Sequence, residues 1–314
     1  MEPILQLPPG LPPHRAAPQA LVATRVIAEW PQGTFLENLA VLDNGDIAVS
    51  VLSEARIDRA TLAGSVSTLI QLAAPPTGLA MLDGALYAAV GEPGGAEPVL
   101  WRIDPQTGAG APHQPIAGAI FANGMTPFDS HRLLVSDSWQ GRLYLVDTVA
   151  GTTEVWAEDE LLTRAPGVDF LPGANGVKRW HDRVLVASNG RALLIEFAVR
   201  TDGSAGAAQI VAEQVRVDDL AFDTAGNAYL TTHIGHSLDR LGIDGARVTL
   251  AGANEGLAGS TACAFGRHDN ERKALYVSTT GGIVLPVDGI LQAARLVRLD
   301  LDVEGYPLTG TGST

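Results

Sequence analysis

Residues 37–50 read ENLAVLDNGDIAVS. A short apolar run, Leu39-Ala40-Val41, leads into the turn Asp43-Asn44-Gly45-Asp46, and an alternating run follows. This is a β-hairpin, because Asn-Gly supplies the positive φ angles that a tight reversal needs. Glu37, a carboxylate directly ahead of the apolar run, has no part in that logic. The pattern also recurs. PTGLAMLDGALYAAV begins at Pro76, ANGMTPFDSHRLLVSDS at Ala122 and ANGVKRWHDRVLVASNG at Ala174. VDDLAFDTAGNAYLTTH begins at Val217, and GSTACAFGRHDNERKALYVSTTGG at Gly259. Each is a short apolar strand, a turn rich in Asp, Gly, Asn or His, and a second strand ending in Ser or Thr.

Aligning the residue before the Gly-apolar step, or its equivalent, selects Glu37, Thr77, Asn123, Asn175, Asp218 and Ser260, with spacings of 40, 46, 52, 43 and 42 residues. Six units of roughly 40–50 residues, each with room for four short strands, predict an all-β fold. It is a six-bladed β-propeller with four-stranded antiparallel blades around a central channel. GRLYLVDT and TTEVWAE read as the outer strands of the third unit. LVATRVIAEW at 21–30 precedes the first hairpin and is expected to be the outermost strand of the last blade, closing the ring. Residues 21–314 then form a single propeller domain, and the Pro-rich residues 1–20 an extended arm. Helical signal is confined to Asp159–Leu162 and Gly289–Ala294, each at most a short turn.

The chain has 314 residues, 46% of them hydrophobic and 18% charged, enough apolar material for a substantial core. A formal charge of −14 argues against nucleic acid or an anionic membrane as partner, leaving a small-molecule substrate. Cys263, the single cysteine, excludes intramolecular disulfides and cysteine-based zinc sites, and its apolar neighbours predict a buried small hydrophobe. The first residues lack the basic start and apolar stretch of a secretory signal, and no apolar run is long enough to span a bilayer. A cytoplasmic protein is expected. There is no G-x-S-x-G elbow, Walker A loop, H-E-x-x-H or Rossmann fingerprint.

The ring turns six distant positions into neighbours. In a propeller every innermost strand starts at the same end of the channel, and the first hairpin returns the chain there. Glu37, Asn175 and Asp218 therefore converge, with Trp139 and His233 on the same face. Two carboxylates and an amide carbonyl suit a hard divalent cation, whose charge balances theirs. Oxygen donors of this kind are compatible with Ca2+, Zn2+, Mg2+ or Mn2+.

FLENLAV, ANGV and VDDLAFD together resemble the senescence marker protein/gluconolactonase/luciferin-regenerating enzyme family of six-bladed propellers, over roughly residues 30–300. The resemblance implies that Glu37, Asn175 and Asp218 hold a divalent metal, calcium foremost, with Asp218 doubling as general base. It also implies that Asn123 contacts substrate and that the activity is lactone hydrolysis. The family's Glu-Gly-Pro or Glu-Ser-Pro is Glu37-Asn38-Leu39 here, and its Asp-Gly is Asp218-Asp219. The arginine that sugar lactonases carry ahead of Asn123 has no counterpart, which points away from a polyhydroxylated sugar. ENLAV, DDLAFD and GSTACAFGR also resemble a fungal and bacterial branch related to hetero-Diels–Alderase-like proteins.

The expected function is metal-dependent hydrolysis of a lactone or related ester, the metal polarising the carbonyl. Asp218 or Asp219 accepts a proton from water, with His233 a second candidate base and His236 a weaker one. Thr77, Phe121 and Trp139 join Asn123 as candidate substrate-binding residues. Two rivals use the same pocket: a cyclase- or pericyclase-like biosynthetic catalyst with Phe121 and Trp139 as its apolar wall, and a non-enzymatic binder of small molecules.

Overall fold

Each of the six hairpins is the inner half of a four-stranded antiparallel sheet. The computed structural model describes residues 19–168 and 171–307. Its inner strands are Leu36–Val41, Pro76–Leu82, Ala122–Pro127, Ala174–Trp180, Leu220–Phe222 and Ser260–Phe265. The first four sheets and the fifth each use four consecutive strands. The sixth runs Ser260–Phe265, Ala274–Thr279, Ala293–Asp300 and then Thr24–Gln32, with Trp30 opposite Ala294. The N-terminal strand thus closes a six-bladed β-propeller, as LVATRVIAEW predicts. Most of the Pro-rich arm expected at 1–20 lies outside the described residues.

The inner strands read as continuous apolar runs because both of their faces are buried. Leu39 and Val41 pack with Ala262, Tyr276 and Leu296 of the sixth blade. Ala40 and Leu42 turn the other way, onto Leu79 and Met81 of the second. The predicted short turn at Asp159–Leu162 is a 3-10 turn over Glu160–Leu162, in which the Asp159 carboxylate accepts the Leu161 N–H. Gly289–Ala294 is not helical: Gly289 has φ +75°, and the chain enters the strand Ala293–Asp300. Among the described residues no helix is long and apolar enough to cross a membrane.

A β-bulge interrupts the inner pair of five blades, between Leu36/Leu39, Pro76/Leu79, Ala122/Met125, Ala174/Val177 and Ser260/Cys263. There two residues of the inner strand face one on its neighbour, which re-aims side chains. Glu37-Asn38 faces Ser50, Asn123-Gly124 faces Ser136, and Asn175-Gly176 faces Ala187. In the fifth blade Asp218-Asp219 precedes the strand and exchanges backbone hydrogen bonds with Thr231. The recurrent Ser or Thr of the second strand now has a reason. Ser50 Oγ accepts the Asn38 N–H (2.8 Å), Thr231 Oγ1 that of Asp219 (3.0 Å) and Ser278 Oγ that of Ala262 (3.2 Å).

This register corrects one alignment. Thr261, not Ser260, occupies the sixth position, because Ser260 is the last residue paired before the bulge. Spacing alone cannot see an inserted residue. The glycines of blades two to four also have a tertiary cause. A Cβ on Gly78, Gly124 or Gly176 would collide with the backbone of Asn123, Asn175 or Asp219 in the next blade.

Candidate functional site

The bulged ends gather polar side chains at one mouth of the channel. Asn175 Nδ2 donates to Asp218 Oδ1 at 2.5 Å, joining blades four and five across 43 residues. Glu37 of blade one is half-buried beside them. Its carboxyl is pushed well above the ordinary value, first by burial and then by the charges of Asp218 and Asp219. The three predicted ligands therefore meet: two are directly bonded and the third responds to their charge.

His233 lies behind Asp218, with Nδ1 3.3 Å from Asp218 Oδ2 and Nε2 3.1 Å from Thr280 Oγ1. Its ring meets Phe35 edge-on at 5.4 Å between centroids. Both ring nitrogens have a polar neighbour, which places His233 to orient Asp218. His236, half-buried and pushed down to about 4 by burial and then by His233, accepts the Gly259 N–H through Nδ1 at 3.0 Å. It is a neutral structural acceptor.

The candidate substrate residues divide. Asn123, buried, donates from Nδ2 to Ser138 Oγ (3.1 Å), which donates to the Ala174 carbonyl (2.7 Å). Thr77 is also buried and spends its hydroxyl on the carbonyls of Ala122 (2.7 Å) and Ala89 (3.3 Å), a tie between blades two and three. Phe121 and Trp139 are half-buried at the rim beside Asn123 and meet edge-to-face at 5.9 Å. The Arg164 guanidinium stacks 4.8 Å from the Trp139 ring. The fully buried Asp137 holds both aromatics in place by accepting the N–H groups of Phe121 (3.3 Å) and Trp139 (2.8 Å).

Sequence reasoning missed Lys178. Its ammonium lies 2.5 Å from Asp219 Oδ1, and both side chains are only 6% exposed. Burial raises the Asp219 carboxyl above its ordinary value, while Lys178 pulls against that shift. The available signal was a lysine within the inner strand ANGVKRW, together with Asp219 at the position where the resembled family carries glycine. Arg216 was also missed: buried, it donates from Nη1 to the carbonyls of Asn189 (2.9 Å) and Gly190 (3.0 Å) and ties blade five to blade four.

Among the described residues no group of three or more His, Cys, Asp or Glu side chains is arranged to hold a metal. A cation here would therefore depend on the amide of Asn175 beside the carboxylates of Glu37 and Asp218. The charge count suits one. Lys178 balances Asp219, and two carboxylates remain, the complement of a divalent ion. After burial, the charges of Asp218 and Asp219 add to the upward shift of Glu37, in keeping with that surplus. The donor set fits a hard divalent cation.

Solved structures with this architecture include a luciferin-regenerating enzyme: 14% identical, covering 91% of this chain and 97% of its own, with a TM-score of 0.69. The chain has the fold of these propellers. A calcium-binding regucalcin from Agrobacterium tumefaciens is 18% identical over 92% of this chain and 97% of its own, at a TM-score of 0.70. A gluconolactonase from Xanthomonas campestris is 16% identical over 92% and 98%, at 0.66. No protein-family model and no curated sequence matches the chain.

Proposed function

We propose that the bulged mouth of the channel hydrolyses a lactone or related ester with the help of a divalent cation, calcium foremost. The observation that carries this reading is the convergence of Glu37, Asn175 and Asp218 from three separate blades. These residues would hold the cation. When bound, it would supply Lewis-acid polarisation of the substrate carbonyl. Asp218 is the proton acceptor for the attacking water, oriented by Asn175 on one oxygen and His233 on the other. The Phe121–Trp139 edge beside Asn123 favours a substrate with an apolar or aromatic flank over a sugar.

The test is hydrolysis of a panel of aliphatic and aryl lactones and esters, with and without chelator, by wild type, Glu37→Gln and Asp218→Asn. Chelation and each substitution are expected to lower turnover by ~10²-fold or more. Turnover unchanged under all three perturbations would overturn the reading. The aromatic wall also suits the rival cyclase-like use of this pocket, for which products would change with Trp139→Ala while chelation would have no effect.

A further inference from the structure

The inner strands run from the bulged mouth to the opposite end of the channel, where a cavity of about 430 Å3 opens. Every blade contributes to its wall, but Glu37, Asn175 and Asp218 do not. The wall is mainly apolar: Leu39, Leu79, Met81, Met125, Phe222 and Phe265 carry it. One side is built by the chain after the last blade. Glu304 accepts the Thr224 N–H (2.9 Å), Gly305 donates to Arg272 (2.8 Å) and Tyr306 donates to Phe222 (2.8 Å), all through backbone. Gly305 must be glycine here, since a Cβ would overlap the Phe265 side chain.

The charges on this wall run against the rest of the molecule. The protein carries −14, yet the cavity is lined by Lys178, Arg267 and Arg272 against the single carboxylate of Glu304. Lys178 is the deep one: its ammonium has one carboxylate partner, Asp219, so N–H donors remain for a second acceptor. Arg267 and Arg272 stand at the outer end, 34% and 49% exposed. Asp43, the partner of Arg267, and Asp269, one partner of Arg272, are 54% and 94% exposed and lie outside the cavity wall, while Arg272 Nη1 also lies 3.9 Å from Glu304, 46% exposed, within it. Such surface pairs hold a guanidinium weakly, so both can turn to a ligand. The volume is in the range that holds small organic ligands, about 300–1,000 Å3.

We infer that the far end of the channel is a second binding site, distinct from the bulged mouth, for an amphipathic carboxylate such as a medium-chain acyl anion. The acyl chain lies among the leucine, methionine and phenylalanine side chains, and the carboxylate is met by Arg267 and Arg272. Methionines at 81 and 125 adapt to chains of different length.

Isothermal titration of the full chain with octanoate, in chelator, tests this against octanol and octyltrimethylammonium as neutral and cationic controls. Octanoate is expected to bind saturably at one site per chain, at least tenfold tighter than either control. Ala264→Trp, which fills the cavity, should abolish binding, and Arg267→Glu with Arg272→Glu should weaken it at least tenfold. The rim pair is exposed, so it decides the matter if the cavity-filling variant does not fold. Glu37→Gln should leave octanoate binding unchanged. Absence of saturable binding, octanol binding as tightly as octanoate, indifference to the rim substitutions, or loss of binding in Glu37→Gln would each overturn the assignment.

Discussion

Replacing Lys178 by methionine keeps the length of the side chain and removes its charge. The partner left behind is Asp219, buried to the same degree and next to Asp218. Breaking a buried ion pair from one side costs about 3–5 kcal/mol, because the remaining charge is uncompensated. Asp219 can limit this by binding a proton. Its folded value already lies above the ordinary 3.8, because burial outweighs the pull of Lys178, and it rises further without the ammonium. A carboxyl raised on folding makes the native state bind more protons than the unfolded one, so stability falls as pH rises from 3.8 through the folded value. The deficit of Lys178→Met is therefore smallest at the acidic end, near the unfolded value of 3.8, and grows as pH rises through the raised folded value. Urea unfolding followed by tryptophan fluorescence on chelated protein should show the midpoint lowered by roughly 1–2 M near pH ~8. Adding Asp219→Asn should restore most of the loss, since no buried charge then remains. A loss under ~1 kcal/mol, a larger deficit at the acidic pH, or no recovery in the double variant would refute the reasoning.

The remaining expectations concern the mouth and its frame. His233→Ala should lower turnover about 10–100-fold, the usual cost of losing a group that orients a ligating carboxylate. His233→Gln, which can still donate to Asp218, should retain more activity; equal losses would count against the orienting role. Gly176→Ala puts a methyl against the Asp219 backbone and should cost about 1–3 kcal/mol or more. Gly252→Ala, whose nearest neighbour would be Glu255 Oε2 at 3.4 Å, should change the melting temperature little. His236 is pushed down to about 4 from 6.5, so the native state binds fewer protons than the unfolded one between those values. Stability should fall as pH drops through that window, His236→Asn should flatten the slope, and imidazole NMR should show no His236 midpoint above pH ~5.

The hairpin rhythm starting at ENLAVLDNGDIAVS was enough to read six blades, their inner strands and the closing strand near residues 21–30. That information is local: turn chemistry and apolar runs repeat every unit, and each blade must bury both faces against its neighbours. The mouth was legible for the same reason, because equivalent positions of a ring meet whatever their distance along the chain. Glu37, Asn175 and Asp218 could be paired on that ground alone. Tertiary structure decided the rest. The bulges shifted the sixth position from Ser260 to Thr261, while contacts between blades made the Thr77 hydroxyl a tie and set His233 between Asp218 and Thr280. Those contacts also let Asp219 meet Lys178 across 41 residues. Repeats announce which positions are equivalent, whereas the direction and partner of each side chain depend on contacts between blades. No local pattern encodes those contacts, nor the basic lining of the cavity at the far end of the channel.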